Sequence, residues 1–146
     1  MEGIFISDTK GVLPQPVARV AVYAGKGLEG NRYFHADGNA PPGTAVTLIA
    51  AEALEAFEAE TGTRLTPAES RRNVLVRGVD VNALVGKRFR VGNVECEGVE
   101  LCEPCTHLEA MTYPGVIKGM VHRAGLNANL VTDGEIAVGD AVIVEA

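Results

Sequence analysis

The sequence predicts a mainly β domain, a closed or partly open β-barrel with two or three short helices, and three observations carry that prediction. Glycine is frequent, at 17 of 146 residues, and turn chemistry recurs along the whole chain. Valine-rich runs of strand length lie between the turns. Segments with helical periodicity are few. The length fits one domain over residues 1–146, long enough to bury on the order of two-thirds of the surface that its unfolded form exposes.

Taken in order, Ile4 to Ser7 and Val17 to Tyr23 read as strands, joined by a loop that carries Pro14 and Pro16. Ala24 to Gly43 holds five glycines and the pair Pro41-Pro42, with no apolar period. A loop of that length is expected to be functional. Thr44 to Ile49 is the next strand. It leads into a helix over Ala50 to Thr61, where Leu54 and Phe57 share a face and Gly62 ends the run. Thr66-Pro67-Ala68-Glu69 has the capping-box pattern, with threonine as N-cap, proline at the first helical position and glutamate at the third. The short helix that starts there presents Arg71 and Arg72.

Asn73 to Val76, Lys87 to Val91 and Val94 to Val99 follow as strands, the last two joined at Gly92-Asn93 as in a tight hairpin. Ala128 to Thr132, Ile136 to Val138 and Ala141 to Val144 are separated by the turn pairs Asp133-Gly134 and Gly139-Asp140. The chain has no internal repeat, low-complexity tract or domain linker.

Composition excludes several classes. A 47% hydrophobic content against 22% charged residues is that of a soluble globular chain, and no apolar run reaches membrane-spanning length. The formal charge of -6, with its basic residues scattered, argues against a nucleic-acid partner. Met1 to Ile6 passes directly into a strand with no basic leader, so a cytoplasmic protein is expected. Three cysteines cannot form a complete set of internal disulfides, which favours free or functional thiols.

Gly25-Lys26-Gly27-Leu28-Glu29-Gly30 matches the spacing of a dinucleotide fingerprint. The helix that such a fingerprint must open is missing, because Asn31 to Gly43 is loop-like, so a glycine loop making tight turns is the better reading. Cys96 alternates with Glu95 and Glu97 on a strand and is expected to be a buried small hydrophobe. Leu101-Cys102-Glu103-Pro104-Cys105-Thr106-His107 is different, for it sets two thiols and an imidazole in a proline turn just past that strand. Three chemistries fit it besides two incidental thiols: a redox pair, a structural zinc site with Cys96 and His107 as further ligands, or one activated thiolate at Cys105 that ligates a metal or carries a sulfane sulfur. The redox pair expects a βαβ context that is absent. Zinc would take Cys96 out of the core. His35 and His122 are each open between a site role and loop surface.

The order and spacing of several segments resemble the MOSC domain, named for the C-terminal domain of molybdenum cofactor sulfurase. They are Gly27 to Arg32, Arg72-Asn73-Val74-Leu75-Val76, Gly86 to Phe89, Pro104-Cys105, His122-Arg123-Ala124-Gly125-Leu126 and Asp133 to Asp140. The resemblance implies a MOSC, pyruvate-kinase-barrel-like fold that binds molybdenum cofactor (molybdopterin), with Cys105 as the metal ligand and catalytic cysteine. It implies Arg32, Arg72, Asn73 and Arg123 as cofactor-binding residues. Some relatives reduce N-hydroxylated compounds with electrons from a separate reductase, which implies a molybdenum-dependent oxidoreductase component with a small-molecule substrate and an electron-donating reductase as partner. The alternative implied is a sulfur carrier with a persulfide on Cys105 and a cysteine desulfurase as partner. Pyridoxal phosphate is not expected in this chain, because Lys10, Lys26, Lys87 and Lys118 show no context for a Schiff base. Asn31 stands where the loop motif commonly has an acidic residue, and Cys102 is an additional thiol.

Overall fold

The computed structural model describes residues 1–9, 12–103 and 119–145. Strands β1 (Gly3–Ile6), β2 (Gln15–Val17), β3 (Arg19–Tyr23), β4 (Gly27–Leu28) and β5 (Val46–Ala50) precede helices α1 (Ala51–Thr61) and α2 (Pro67–Ser70). Strand β6 (Val74–Val76), a 3-10 turn at Val81–Leu84, and strands β7 (Arg88–Val91), β8 (Val94–Leu101), β9 (Leu126–Leu130), β10 (Gly134–Ala137) and β11 (Val142–Val144) follow. The fold is mainly β, as the sequence predicts. Eight strands in the order β11-β7-β8-β9-β5-β6-β1-β2 curl into a half-barrel, and β10-β3-β4 forms a second sheet.

Both sheets feed one core. Val20, Val22, Leu28 and Ile136 of the small sheet pack with Leu48, Val74, Phe89 and Leu126 of the large one. A second cluster lies under α1, where Leu54 and Phe57 meet Ile49, Leu75 and Met120. Strand β6 is therefore buried on both faces, with Val74 and Val76 in the barrel core and Leu75 under the helix. That is why it is apolar without alternation. It pairs in parallel with β5, which requires a crossover, and α1 and α2 supply it.

The two helices end differently. Helix α1 stops at Gly62, whose left-handed backbone (φ 73°) lets its N–H donate to the Glu58 carbonyl at 2.8 Å. Helix α2 begins with the predicted capping box: Glu69 N–H donates to Thr66 Oγ1 at 3.2 Å, and Thr66 N–H donates to Glu69 Oε1 at 3.0 Å. It ends on Arg71, which takes the left-handed conformation without being glycine.

Three expectations shift. The single strand expected over Val17 to Tyr23 is two, because β2 pairs with β1 while β3 turns away to pair with β10. Pro16 sits on β2, the edge strand of its sheet, where a missing N–H is tolerated. Asp133-Gly134, expected as a turn between two strands, is not one: β9 and β10 belong to different sheets. Gly134 lies within β10, and Asp133 reaches back to accept the Ala24 N–H at 2.7 Å. Strand β9 begins at Leu126 rather than Ala128, with Leu126, Ala128 and Leu130 facing inward. Among the described residues no helix is long and apolar enough to cross a membrane.

Candidate functional site

A cleft of about 300 Å³ opens where the Ala24 to Gly43 loop, the end of α2 and the ends of β5, β8 and β9 converge. Arg32, Arg71, Arg72, Asn73 and Cys102 all line it. Among the described residues no aspartate or glutamate does. Three guanidinium groups thus share one concavity, with no carboxylate among the described residues that line it, on a chain whose formal charge is -6.

Each arginine is held in its own way. Arg72 donates from Nε to the Ala124 carbonyl at 2.6 Å and from Nη2 to the Cys102 carbonyl at 3.3 Å, which fixes the side chain between β8 and the start of β9. Gly125 makes this possible: a Cβ there would stand 2.2 Å from the Leu48 carbonyl oxygen, and its backbone has φ 116°. Arg32 lies over the Tyr33 ring, 4.4 Å from its centroid, and donates to the Tyr33 hydroxyl at 2.5 Å. Tyr33 is 48% exposed at the rim. Arg71 donates from Nη1 to the Val12 carbonyl at 3.0 Å. Its Nε is buried, with no hydrogen-bond partner among the described residues.

Asn73 spends its amide on the fold. Its Oδ1 accepts from Thr47 N–H at 3.0 Å and from Thr47 Oγ1 at 3.1 Å, while Nδ2 donates to the Phe5 carbonyl at 3.1 Å. It braces β5 and β1 beneath the cleft and faces it as floor. Asn31 is likewise buried, with Oδ1 accepting from Ser7 N–H at 3.1 Å. A carboxylate there would bring an anion to a cleft whose charged lining, among the described residues, is arginine.

Arg123 lies apart from this group. It pairs with Glu60 on α1, with Nη2 donating to Oε1 at 3.2 Å and Nη1 held by Oε2, and it lines a different depression beside Ala53 and Val81. The salt bridge raises the Arg123 pKa and holds the Glu60 carboxyl below its ordinary range, in both cases chiefly through the hydrogen bond between them. The sequence places Arg123 in a matching segment, but Glu60 sits 63 positions away and claims it.

Cys96 is 2% exposed within the barrel core, and burial, helped by the Glu95 charge, pushes its thiol up to about 12. It is the buried small hydrophobe that alternation predicts. Cys102 lines the cleft, and its N–H donates to the Gly125 carbonyl at 2.8 Å. Cys105 and His107 lie outside the described residues. His122 takes a left-handed backbone (φ 59°), and its Nδ1 stands 2.8 Å from Glu103 Oε2. His35 donates from Nδ1 to the Tyr33 carbonyl at 2.8 Å, which makes it a brace of its own loop. That loop opens no helix at its glycines, since Gly27 and Leu28 form β4 against β3. Among the described residues no group of three or more histidines, cysteines, aspartates or glutamates is placed to hold a metal ion.

The sequence reasoning leaves Arg71, Thr47 and Tyr33 out of the site. Arg71 had a signal, because a capped one-turn helix must release the chain just where the two arginines stand. Thr47 and Tyr33 had none.

These features define a class: a curled β half-barrel carrying an arginine-lined cleft. The family model described as the MOSC domain matches residues 35–143, and the chain belongs to that family. The fold is similar to that of the YuaD protein from Bacillus subtilis, with a TM-score of 0.84 at 18% identity, covering 98% of this chain and 93% of that one. It is also similar to YiiM from Geobacillus stearothermophilus (TM-score 0.75, 17% identity, 99% and 73% covered) and YiiM from Escherichia coli (TM-score 0.69, 16% identity, 100% and 70% covered). No curated protein matches the sequence. The MOSC family is generally linked to functions associated with molybdenum cofactor.

Proposed function

We propose that this chain binds molybdenum cofactor in the arginine cleft and serves as the cofactor-bearing component of a cytoplasmic reductase for N-hydroxylated compounds, with electrons from a separate reductase. The observation that supports the reading best is the cleft itself. A cofactor that ends in a phosphate needs cations that the protein has not already neutralised, and Arg32 and Arg72 meet that need. The residues present therefore fit the phosphate end of the group.

Arg72 would hold the phosphate through Nη1, the nitrogen its two carbonyl contacts leave over. Arg32 would turn from the Tyr33 hydroxyl onto the anion, and Asn73 would keep the cleft floor rigid. Cys105 is the thiolate assigned to the metal. It follows Cys102, which lines the cleft, by three residues in the sequence. When bound, the molybdenum group would supply the two-electron redox chemistry of the reduction. A second reading, a persulfide on Cys105 supplied by a cysteine desulfurase, draws support from Cys102, a second thiol-bearing residue at the same cleft.

Expression in a host that makes the cofactor, followed by molybdenum analysis and oxidised-pterin fluorescence, tests the proposal. Wild type should carry both, Cys105→Ala should lose molybdenum, and Arg72→Ala should lose pterin. Wild-type protein without molybdenum or pterin would sink the cofactor reading. Thiocyanate released by cyanide from wild type but not from Cys105→Ala would then favour the sulfur carrier.

A further inference from the structure

The large sheet ends on two edges that are guarded unequally. One edge is β2 and the other β11, each a strand of three residues. An open edge offers unpaired N–H and C=O groups to any other strand, and folded proteins blunt such edges with proline or charge. Strand β2 has Pro16 in its middle, which has no N–H to offer. Strand β11 is Val142-Ile143-Val144, with neither proline nor charge. Ile143 is 55% exposed and Val144 48%, and among the described residues no large hydrophobic is more exposed than Ile143.

The ladder shows which backbone groups are open. Gly92 N–H donates to the Ala141 carbonyl at 2.9 Å and Glu145 N–H to the Arg88 carbonyl at 3.2 Å, so Ala141 and Glu145 turn toward β7. Antiparallel alternation turns Ile143, opposite Arg90, the same way. The N–H and C=O of Val142 and Val144 therefore point out from the edge, and among the described residues no strand pairs with them. Side chains alternate as well. Val142 packs on the barrel core, Val144 shares its face, and Ile143 lies on the outer face with Arg90.

This pattern is its own complement. We propose that β11 is a homodimer interface, pairing antiparallel with β11 of a second copy about a two-fold axis through Ile143. In that register Val142 of one chain exchanges hydrogen bonds with Val144 of the second copy, and Val144 with Val142, which satisfies the open groups of both strands. Ile143 meets Ile143 of the second copy on the outer face, and each exposed Val144 is covered by Val142 of the second copy. Charge permits the pairing although the chain carries -6. Glu145 is already held by Arg90, whose Nε donates to Oε1 at 2.8 Å. It falls opposite Ala141 of the second copy, about 14 Å along the strand from the other Glu145, so no like charges meet. An edge of three residues buries less than the roughly 1,200 Å² of a standard interface, which makes the dimer a reversible one. No residue of β11 lines the cleft, so the proposal stands apart from the cofactor reading.

Sedimentation equilibrium from about 10 µM to about 1 mM tests the pairing. Wild type should pass from monomer to dimer within that range. Ile143→Lys and Ile143→Glu should each raise the dissociation constant about tenfold or more, because like charges then face each other across the axis. An equal mixture of the two should dimerise again, a recovery that misfolded variants could not give. Ile143→Cys should cross-link under mild oxidation, since opposed residues of a non-hydrogen-bonded pair stand about 4.5 Å apart at Cα, within disulfide range. Val12→Cys, at a similarly exposed position (47%) in the loop before β2, should cross-link no more than wild type does through its own thiols. Wild type that stays monomeric to the top of the range would overturn the proposal. So would a dimer that neither charge variant weakens, or Ile143→Cys that cross-links no faster than Val12→Cys.

Discussion

The arginines of the outer faces and those of the cleft are the same residue in opposite states. Arg19, Arg77, Arg88, Arg90 and Arg123 each hold a carboxylate, Arg77 and Arg88 two apiece, Glu2 with Glu55 and Glu95 with Glu97. Arg32, Arg71 and Arg72 hold carbonyls and a tyrosine hydroxyl, and among the described residues no carboxylate. A carbonyl orients a guanidinium but leaves its charge uncancelled. The outer arginines tie elements together at the surface, where ion pairs contribute little, and the cleft arginines keep their charge for something that is not protein.

The most severe way to break this contrast is to remove the frame around Arg72. Gly125→Ala would place a Cβ against the Leu48 carbonyl and strain the backbone, displacing the start of β9 and with it both carbonyls that hold Arg72. The expected cost is about 3 kcal/mol or more in urea denaturation, with cofactor content lost as well. Arg72→Ala follows in size. It leaves two carbonyls without their donor, and should cost about 2 kcal/mol and abolish pterin retention. Stability equal to wild type would show that the carbonyl contacts are incidental. Arg123→Ala should leave pterin content and melting temperature close to wild type, because its charge is already spent on Glu60. Pterin lost from Arg123→Ala would erase the distinction between the two groups.

The contrast also explains what the sequence could tell. Strand and helix positions were legible wherever the signal was local: the Thr66 to Glu69 capping box, the stop at Gly62, and the alternation that buries Cys96 between Glu95 and Glu97. Arg32, Arg72 and Asn73 came from segments with a recognisable family pattern, and the fold brings all three to one cleft. The rest depended on partners far along the chain. Nothing near Arg123 announces Glu60, and nothing near Asp133 announces Ala24, 109 positions earlier. Asn73 looked like a ligand-binding amide and is used by Thr47 and Phe5, contacts that exist only once β5, β6 and β1 are aligned. A side chain's free valence is a tertiary property.

The smallest effects separate the two groups by pH. Glu55 and Glu60 are held below the ordinary carboxylate range, each chiefly by the hydrogen bond from its arginine. A carboxylate lowered in the folded state stabilises above its unfolded value, near 4.5, and loses that contribution as pH falls through the lower folded value. The outer pairs should therefore weaken only below about pH 4.5, read as a modest drop in melting temperature that Glu60→Gln reduces. Cleft binding should respond earlier and for a different reason. A phosphate monoester loses its second charge as pH falls through about 6, so phosphate affinity should decline between about pH 7 and 5 while the outer pairs stay intact. Affinity that held constant to about pH 5 and fell only with the carboxylates would mean that the outer pairs, and not three uncommitted arginines, set the charge of the cleft.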